Sequence, residues 1–255
     1  MNPSALEYAL WTAVFLGDAA LFITLIYRRR WRGFPVFTAY LGFDSVMNLV
    51  LFALNRHGSG SWYTWAYYTT VFVEFILQLG VIWEIARIVL RPTGSWVHDA
   101  RKQFILWSAA GILLAAALPW MVSPPAASLL DRLDVRANLF TSLVICELIA
   151  VVTRTSRSLG LGWRNHVMAL GNGWTAWALV AILVDGLHSY FGAERFFAEL
   201  EHVRIFAYLA TLGYWTVQFW LEEPARQPIS PELRAYIESL HQKIKKDIDT
   251  LATQR

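Results

Sequence analysis

Charged residues are scarce in this chain, 16% of its 255 residues, where a soluble domain of that length carries about a quarter. That deficit excludes an ordinary water-facing surface over most of the length. Cysteine is scarcer still, with Cys146 alone. One sulfur can form no intrachain disulfide and no thiolate metal cage; inside its apolar run it acts as a small hydrophobe. The last apolar run, His202 to Glu222, contains no lysine, so the Schiff base of a retinal pigment has no residue to form on. Only His166 and His188 lie inside apolar runs, and at opposite ends, too few for the intramembrane zinc of ceramidase-type hydrolases. There is no Ser-centred nucleophile elbow and no phosphate-cradling glycine loop. No enzymatic activity and no bound cofactor is expected.

Apolar sequence is abundant instead. Hydrophobic residues make up 56% and the mean hydropathy is +0.39. They gather in runs of roughly 18 to 28 residues, the length that crosses a hydrocarbon core about 30 Å thick. The runs predict an all-α bundle of seven transmembrane helices at about 5–27, 34–54, 63–90, 103–122, 137–154, 165–190 and 203–221. Gly, Pro and Ser clusters separate them: Gly33-Phe34-Pro35, His57-Gly58-Ser59-Gly60, Arg91-Pro92-Thr93-Gly94 and Ser123-Pro124-Pro125.

The basic residues set the orientation. Alternate connections hold Arg28, Arg29, Arg30 and Arg32, then Arg87, Arg91, Arg101 and Lys102, then Arg154, Arg157 and Arg164. The other connections hold Arg56, Arg132, Arg136, Arg195 and Arg204 mixed with Asp131, Asp134, Glu194, Glu199 and Glu201. Positive charge stays in the cytoplasm, so the N-terminus is expected outside and the C-terminus inside an inner (plasma) membrane. This asymmetry also accounts for the net charge of +3 without a nucleic-acid partner. A cleaved signal peptide is not expected, because the basic cluster follows the first apolar run. Tyr8, Trp11, Trp62 and Trp120 fit one aromatic belt, and Tyr27, Trp31, Trp83 and Trp220 the other. Trp174, Trp177 and Trp215 fall deeper, where helix packing or a ligand pocket would use them.

Residues 223–255 form a separate cytoplasmic tail. Ser230-Pro231-Glu232 is an N-cap, a proline at the first helical position and a first-turn acid. Leu233, Ile237, Leu240, Ile244, Ile248 and Leu251 then make one apolar face, so an amphipathic helix is predicted over about 231–252. It could pair with a second copy or a cytoplasmic partner, lie on the anionic inner leaflet, or cap its own bundle.

The most informative residues are acids inside the runs, since intramembrane ionisable groups are costly and point to function. At 1.5 Å per residue, Asp18, Asp44, Glu74 and Glu147 fall near mid-membrane, with no Lys or Arg at that depth in the runs. Tyr40, Asp44 and Asn48 form a polar stripe on the second run; Tyr67, Thr70, Glu74 and Gln78 form one on the third. The seventh run offers Thr211, Tyr214 and Gln218. Together they predict a polar interior bounded by the first, second, third, fifth and seventh spans. The fourth, nearly without polar groups between Ser108 and Pro119, faces lipid. Two chemistries fit: protonated carboxyls hydrogen-bonded between helices, or a site that binds or conducts a proton or small cation. Asp44 and Glu74 are the first candidates, Asp18 and Glu147 the supporting ones.

Two further acids lie nearer the membrane faces. Glu84 has Arg87 and Arg91 on its own helical face, which predicts an ion pair. Asp185 and His188 share a face at the outer end of the sixth span; they are weak metal candidates, since two ligands are too few for a transition-metal site.

Seven spans alone do not make a G-protein-coupled receptor. Glu84-Ile85-Ala86-Arg87 stands where that family carries an Asp-Arg-Tyr-like triplet, and no proline interrupts the seventh run before Pro224. Phe34-Pro35-Val36-Phe37-Thr38-Ala39-Tyr40, with Val81-Ile82-Trp83-Glu84-Ile85 further on, resembles uncharacterised seven-helix inner-membrane proteins of bacteria. The resemblance covers the second and third spans, implies a bacterial inner-membrane location and carries no activity. The functional expectation is a cation or proton pathway. The alternative is a receptor-like or scaffold protein that binds a small ligand or partner subunit and acts through its C-terminal helix.

Overall fold

A computed structural model describes residues 5–57, 60–90, 98–121, 129–158, 165–191, 196–222 and Ser239. The chain divides into two units, Met1–Glu222 and Glu223–Arg255. Of the second unit only Ser239 is described, as helical and exposed, and the amphipathic helix predicted over 231–252 lies outside the described residues.

Among the described residues the first unit is all-helical. Its seven long helices are α1 (Ala5–Tyr27), α2 (Pro35–His57), α3 (Gly60–Leu90), α4 (His98–Met121), α5 (Leu129–Ser158), α6 (Asn165–Phe191) and α7 (Phe197–Trp220). α5 starts at Leu129, ahead of the apolar run expected from 137, because a helix needs no apolar side chains once it leaves the hydrocarbon. Pro35 opens α2, where its missing N–H costs nothing. Between α1 and α2 the chain turns through Arg29, at φ 55°, and one 3-10 turn, Arg30–Arg32.

Among the described residues four helical segments are long and apolar enough to cross a membrane: Ala5–Tyr27, Pro35–Arg56, Val135–Arg154 and His166–Phe191. The apolar part of α4, Ile105–Met121, is shorter. α3 and α7 are diluted by polar and interfacial residues: α3 by Tyr, Trp, Thr, Glu74 and Gln78, α7 by Glu199, Glu201, His202 and Arg204 near its start. The outer surface is apolar on helix after helix. Leu16, Ile23, Phe72, Leu113, Leu183 and Val217 are all more than half exposed. Contiguous apolar surface of that extent is unfavourable in water and neutral against lipid tails.

Inside, α1 packs on α2 and α7, α3 on α2 and α5, and α6 on α5 and α7. α4 packs on α5 and stands at the periphery, with Ile105, Leu106, Leu113 and Leu114 exposed. The core is aromatic towards the start of α2. Phe37 lies 5.2 Å from the Trp215 ring, edge-on, and 5.9 Å from Phe219. Trp174 and Trp215 cross at 6.0 Å. Gly173 makes this possible, since a side chain there would overlap the indole of Trp215, whose Nε1–H donates to the Ala169 carbonyl at 3.1 Å. Trp174 and Trp215 thus serve packing.

Candidate functional site

Three of the four acids expected near mid-membrane meet. α1, α2 and α3 are neighbours in the bundle and turn Asp18, Asp44 and Glu74 toward one another. The Asp44 carboxyl is within hydrogen-bonding reach of both the Asp18 and the Glu74 carboxyls. Asp18 is fully buried. Its Oδ1 accepts from the Tyr208 hydroxyl at 2.8 Å, while Oδ2 receives no N–H or hydroxyl. Asn48, one turn along α2, donates from Nδ2 to Asp44 Oδ2 at 3.2 Å. Tyr40, one turn the other way, pairs with Gln78 of α3. Two ionised carboxylates cannot hydrogen-bond, since neither carries a donor. A proton on one partner of each pair, or a cation between the oxygens, would let Asp44 approach Asp18 and Glu74 without repulsion.

Beside the trio lies a cavity of about 320 Å3. Tyr40, Asp44, Asn48, Glu74 and Gln78 line one side and Trp177, Asp185, Arg204 and Tyr208 the other. A second cavity of about 260 Å3 adjoins it, sharing Asn48, Glu74, Gln78 and Asn138 and continuing past Tyr67, Thr70 and Thr141. The Thr70 and Thr141 hydroxyls donate to the carbonyls one turn back, of Ala66 and Ala137, which leaves their lone pairs free for a guest. Both spaces can hold water, and both have the several polar partners that an ordered water needs.

Glu147 stands apart from the trio. Its carboxyl occupies the space that a side chain at Gly111 of α4 would fill, its Oε2 is buried without a hydrogen-bond partner, and it lines neither cavity. Tyr214 and Gln218 also lie off the cavity wall, and Tyr214 is exposed. The inward face of α7 runs through Arg204, Tyr208, Thr211 and Trp215, one step round from the expected face. Sequence reading passed over Tyr208 and Arg204, although their spacing of four, continued by Thr211 and Trp215, is helical. The interior is also bounded by α6, through Trp177, Ala181 and Asp185.

At the other end of the larger cavity the acids are paired. Asp185, only 4% exposed, forms an ion pair with Arg204. Arg204 also reaches Glu201 Oε1 at 3.5 Å, and His188 Nδ1 lies 3.6 Å from the same oxygen. Asp185 and His188 therefore turn to different partners instead of a shared metal. Among the described residues no group of three or more His, Cys, Asp and Glu is arranged to hold a metal ion.

Glu84 departs from its expected ion pair. Its two carboxylate oxygens accept from the backbone N–H groups of Val36, at 2.9 Å, and Phe37, at 3.0 Å. The acid of α3 thus caps the N-terminus of α2, whose first N–H groups have no helical partner and whose dipole favours an anion. Arg87 is close enough to act only through its field, and Arg91 lies outside the described residues.

No protein-family model matches the chain, and neither the curated proteins nor the solved structures include a significant match. The class that fold and site define is a helical protein with membrane-length apolar helices around a polar, acid-lined interior.

Proposed function

We propose that all seven helices span the membrane, N-terminus outside and C-terminus in the cytoplasm, and that Asp18, Asp44 and Glu74 bind or conduct a proton or small cation. The observation that carries this reading is the convergence of three carboxyls from three helices, with Asp44 in hydrogen-bonding reach of both Asp18 and Glu74, beside a cavity of about 320 Å3. Among the described residues one basic side chain, Arg204, lines that cavity, and it is engaged by Asp185 and Glu201. Shared protons or a bound cation relieve the repulsion among the three acids. The chain of Glu74, Asp44, Asp18 and Tyr208 is an order in which a proton can pass between neighbours. Asp44 and Glu74 carry the cation, Asp18 and Tyr208 extend the path, and Asn48 orients the Asp44 carboxyl.

Reconstituted in liposomes, the protein is expected to pass protons or monovalent cations, and the double variant Asp44→Asn, Glu74→Gln to lose that flux. Equal flux through the folded double variant would end the reading.

The size of the cavity supports a second reading. About 320 Å3 exceeds what a bare ion needs and falls at the lower end of small-ligand sites. A receptor-like or scaffold protein would bind a small ligand there and act through residues 231–252. Deleting 230–255 would then abolish partner capture and spare ligand binding.

A further inference from the structure

We propose that the cleft between α3, α4 and α5 is a binding site for an anionic phospholipid of the surrounding bilayer, with an acyl chain along the cleft and the phosphate held by Arg136. The proposal needs the helices to lie in a membrane, and is independent of what the central cavity binds. α3 and α4 each pack on α5 but scarcely on each other, so a cleft of about 460 Å3 runs between them. Its wall is almost entirely apolar. Phe72 and Phe75 of α3, Ala116 of α4 and Phe140 of α5 line its length, and Trp120 stands beside Arg136. Such a wall holds a hydrocarbon chain by close packing, the main source of attraction between apolar groups within a bilayer.

Among the described residues the cleft contains one cation. The Arg136 guanidinium sits 4.6 Å from the Trp120 ring centroid, a stacking that fixes it at the cleft wall. Its Nε is buried without a hydrogen-bond partner, and no carboxylate among the described residues pairs with it. A planar guanidinium with an unused donor matches phosphate in bidentate geometry.

Depth orders the two ends as a phospholipid requires. Arg136 lies two turns into α5, which starts at Leu129, and Trp120 lies in the last turn of α4, which ends at Met121. Both are near one end of the bundle, at interfacial depth. Phe140, four residues beyond Arg136, is about 6 Å deeper, with Phe75 and Ala116 likewise further from their helix ends. The charge is therefore at headgroup level and the aromatic wall at acyl level.

The test is native mass spectrometry of the full-length protein in mild detergent, titrated with phosphatidylglycerol or phosphatidylcholine of identical acyl chains. The wild type is expected to retain phosphatidylglycerol about tenfold better, the worth of a charge-assisted contact. Arg136→Gln should remove that preference, Arg136→Lys should keep part of it, and Ala116→Phe, which fills the cleft, should lower retention of both lipids. Equal retention of the two lipids by the wild type, or an undiminished preference in Arg136→Gln, would overturn the proposal. So would a wild-type dimer that Ala116→Phe converts to monomer, since a second copy would then occupy the cleft. Size-exclusion profiles identify any variant that fails to fold, and Arg136→Lys then decides the role of the charge.

Discussion

At the scale of single residues, each buried acid is explained by a different neighbour. Glu84 is structural: it accepts two backbone N–H groups at the start of α2. Glu84→Leu leaves both donors unsatisfied and is expected to cost about 2 kcal/mol, with Glu84→Gln, which keeps one acceptor, losing less. Thermal unfolding in detergent measures the difference. Asp18 depends on Tyr208, so Tyr208→Phe removes the one hydroxyl that it accepts from. The variant is expected to fold and to weaken cation binding or flux without abolishing it, a smaller loss than that of Asp44→Asn. Glu147 touches none of this network. Glu147→Gln is expected to leave flux at the wild-type level, and a loss as deep as that of the Asp44 and Glu74 double variant would bring Glu147 back into the pathway.

At the scale of elements, two glycines set how closely helices approach. Gly173 admits the Trp215 indole between α6 and α7. Gly173→Ala pushes that indole off the Ala169 carbonyl and overpacks a full core, with an expected cost of about 1–3 kcal/mol. Gly111 leaves room on α4 for the Glu147 carboxyl. Gly111→Ala is expected to destabilise the α4–α5 contact in the wild type and to do so far less in a Glu147→Ala background. Residues that share one space are non-additive, and a double-mutant cycle on unfolding reads the coupling; strict additivity would separate the two side chains. The α1 and α7 ends are joined as well. Arg30 donates to the Leu221 carbonyl at 3.0 Å, Arg28 stands 3.7 Å from the Glu222 carboxylate, and Tyr27 stacks on Trp220. Arginines that read in sequence as an orientation signal thus also close the ring of helices on that side.

At the scale of the whole molecule, the proposed topology has a direct test. In a Cys146→Ala background, an impermeant maleimide is expected to label Ser61→Cys in intact cells and Arg101→Cys only after permeabilisation. The reverse pattern would invert the bundle. The ring of helices also leaves its acids unequal: those of the centre face one another, while those at the α6–α7 end find Arg204.

The helical class and the apolar run of each helix were legible in the sequence, because run length and helical rise are properties of a single segment. Mutual placement was not. Asp18, Asp44 and Glu74 share a depth with Glu147, and depth alone cannot separate three acids that face one another from one that faces α4. The inward face of α7 was read correctly only at Thr211 for the same reason: Tyr214 and Gln218 are as polar as Arg204 and Tyr208, and the rotation of a helix about its axis depends on its neighbours. Glu84 had two arginines within reach on its own helix, and only the packing of α2 against α3 offered it backbone donors instead. The sequence by itself determined which segments are helical and what each acid costs in an apolar setting, through local chemistry. Tertiary structure alone decided which acids face one another, which are paired and which wall receives the arginine, because those outcomes depend on contacts between segments far apart in the chain.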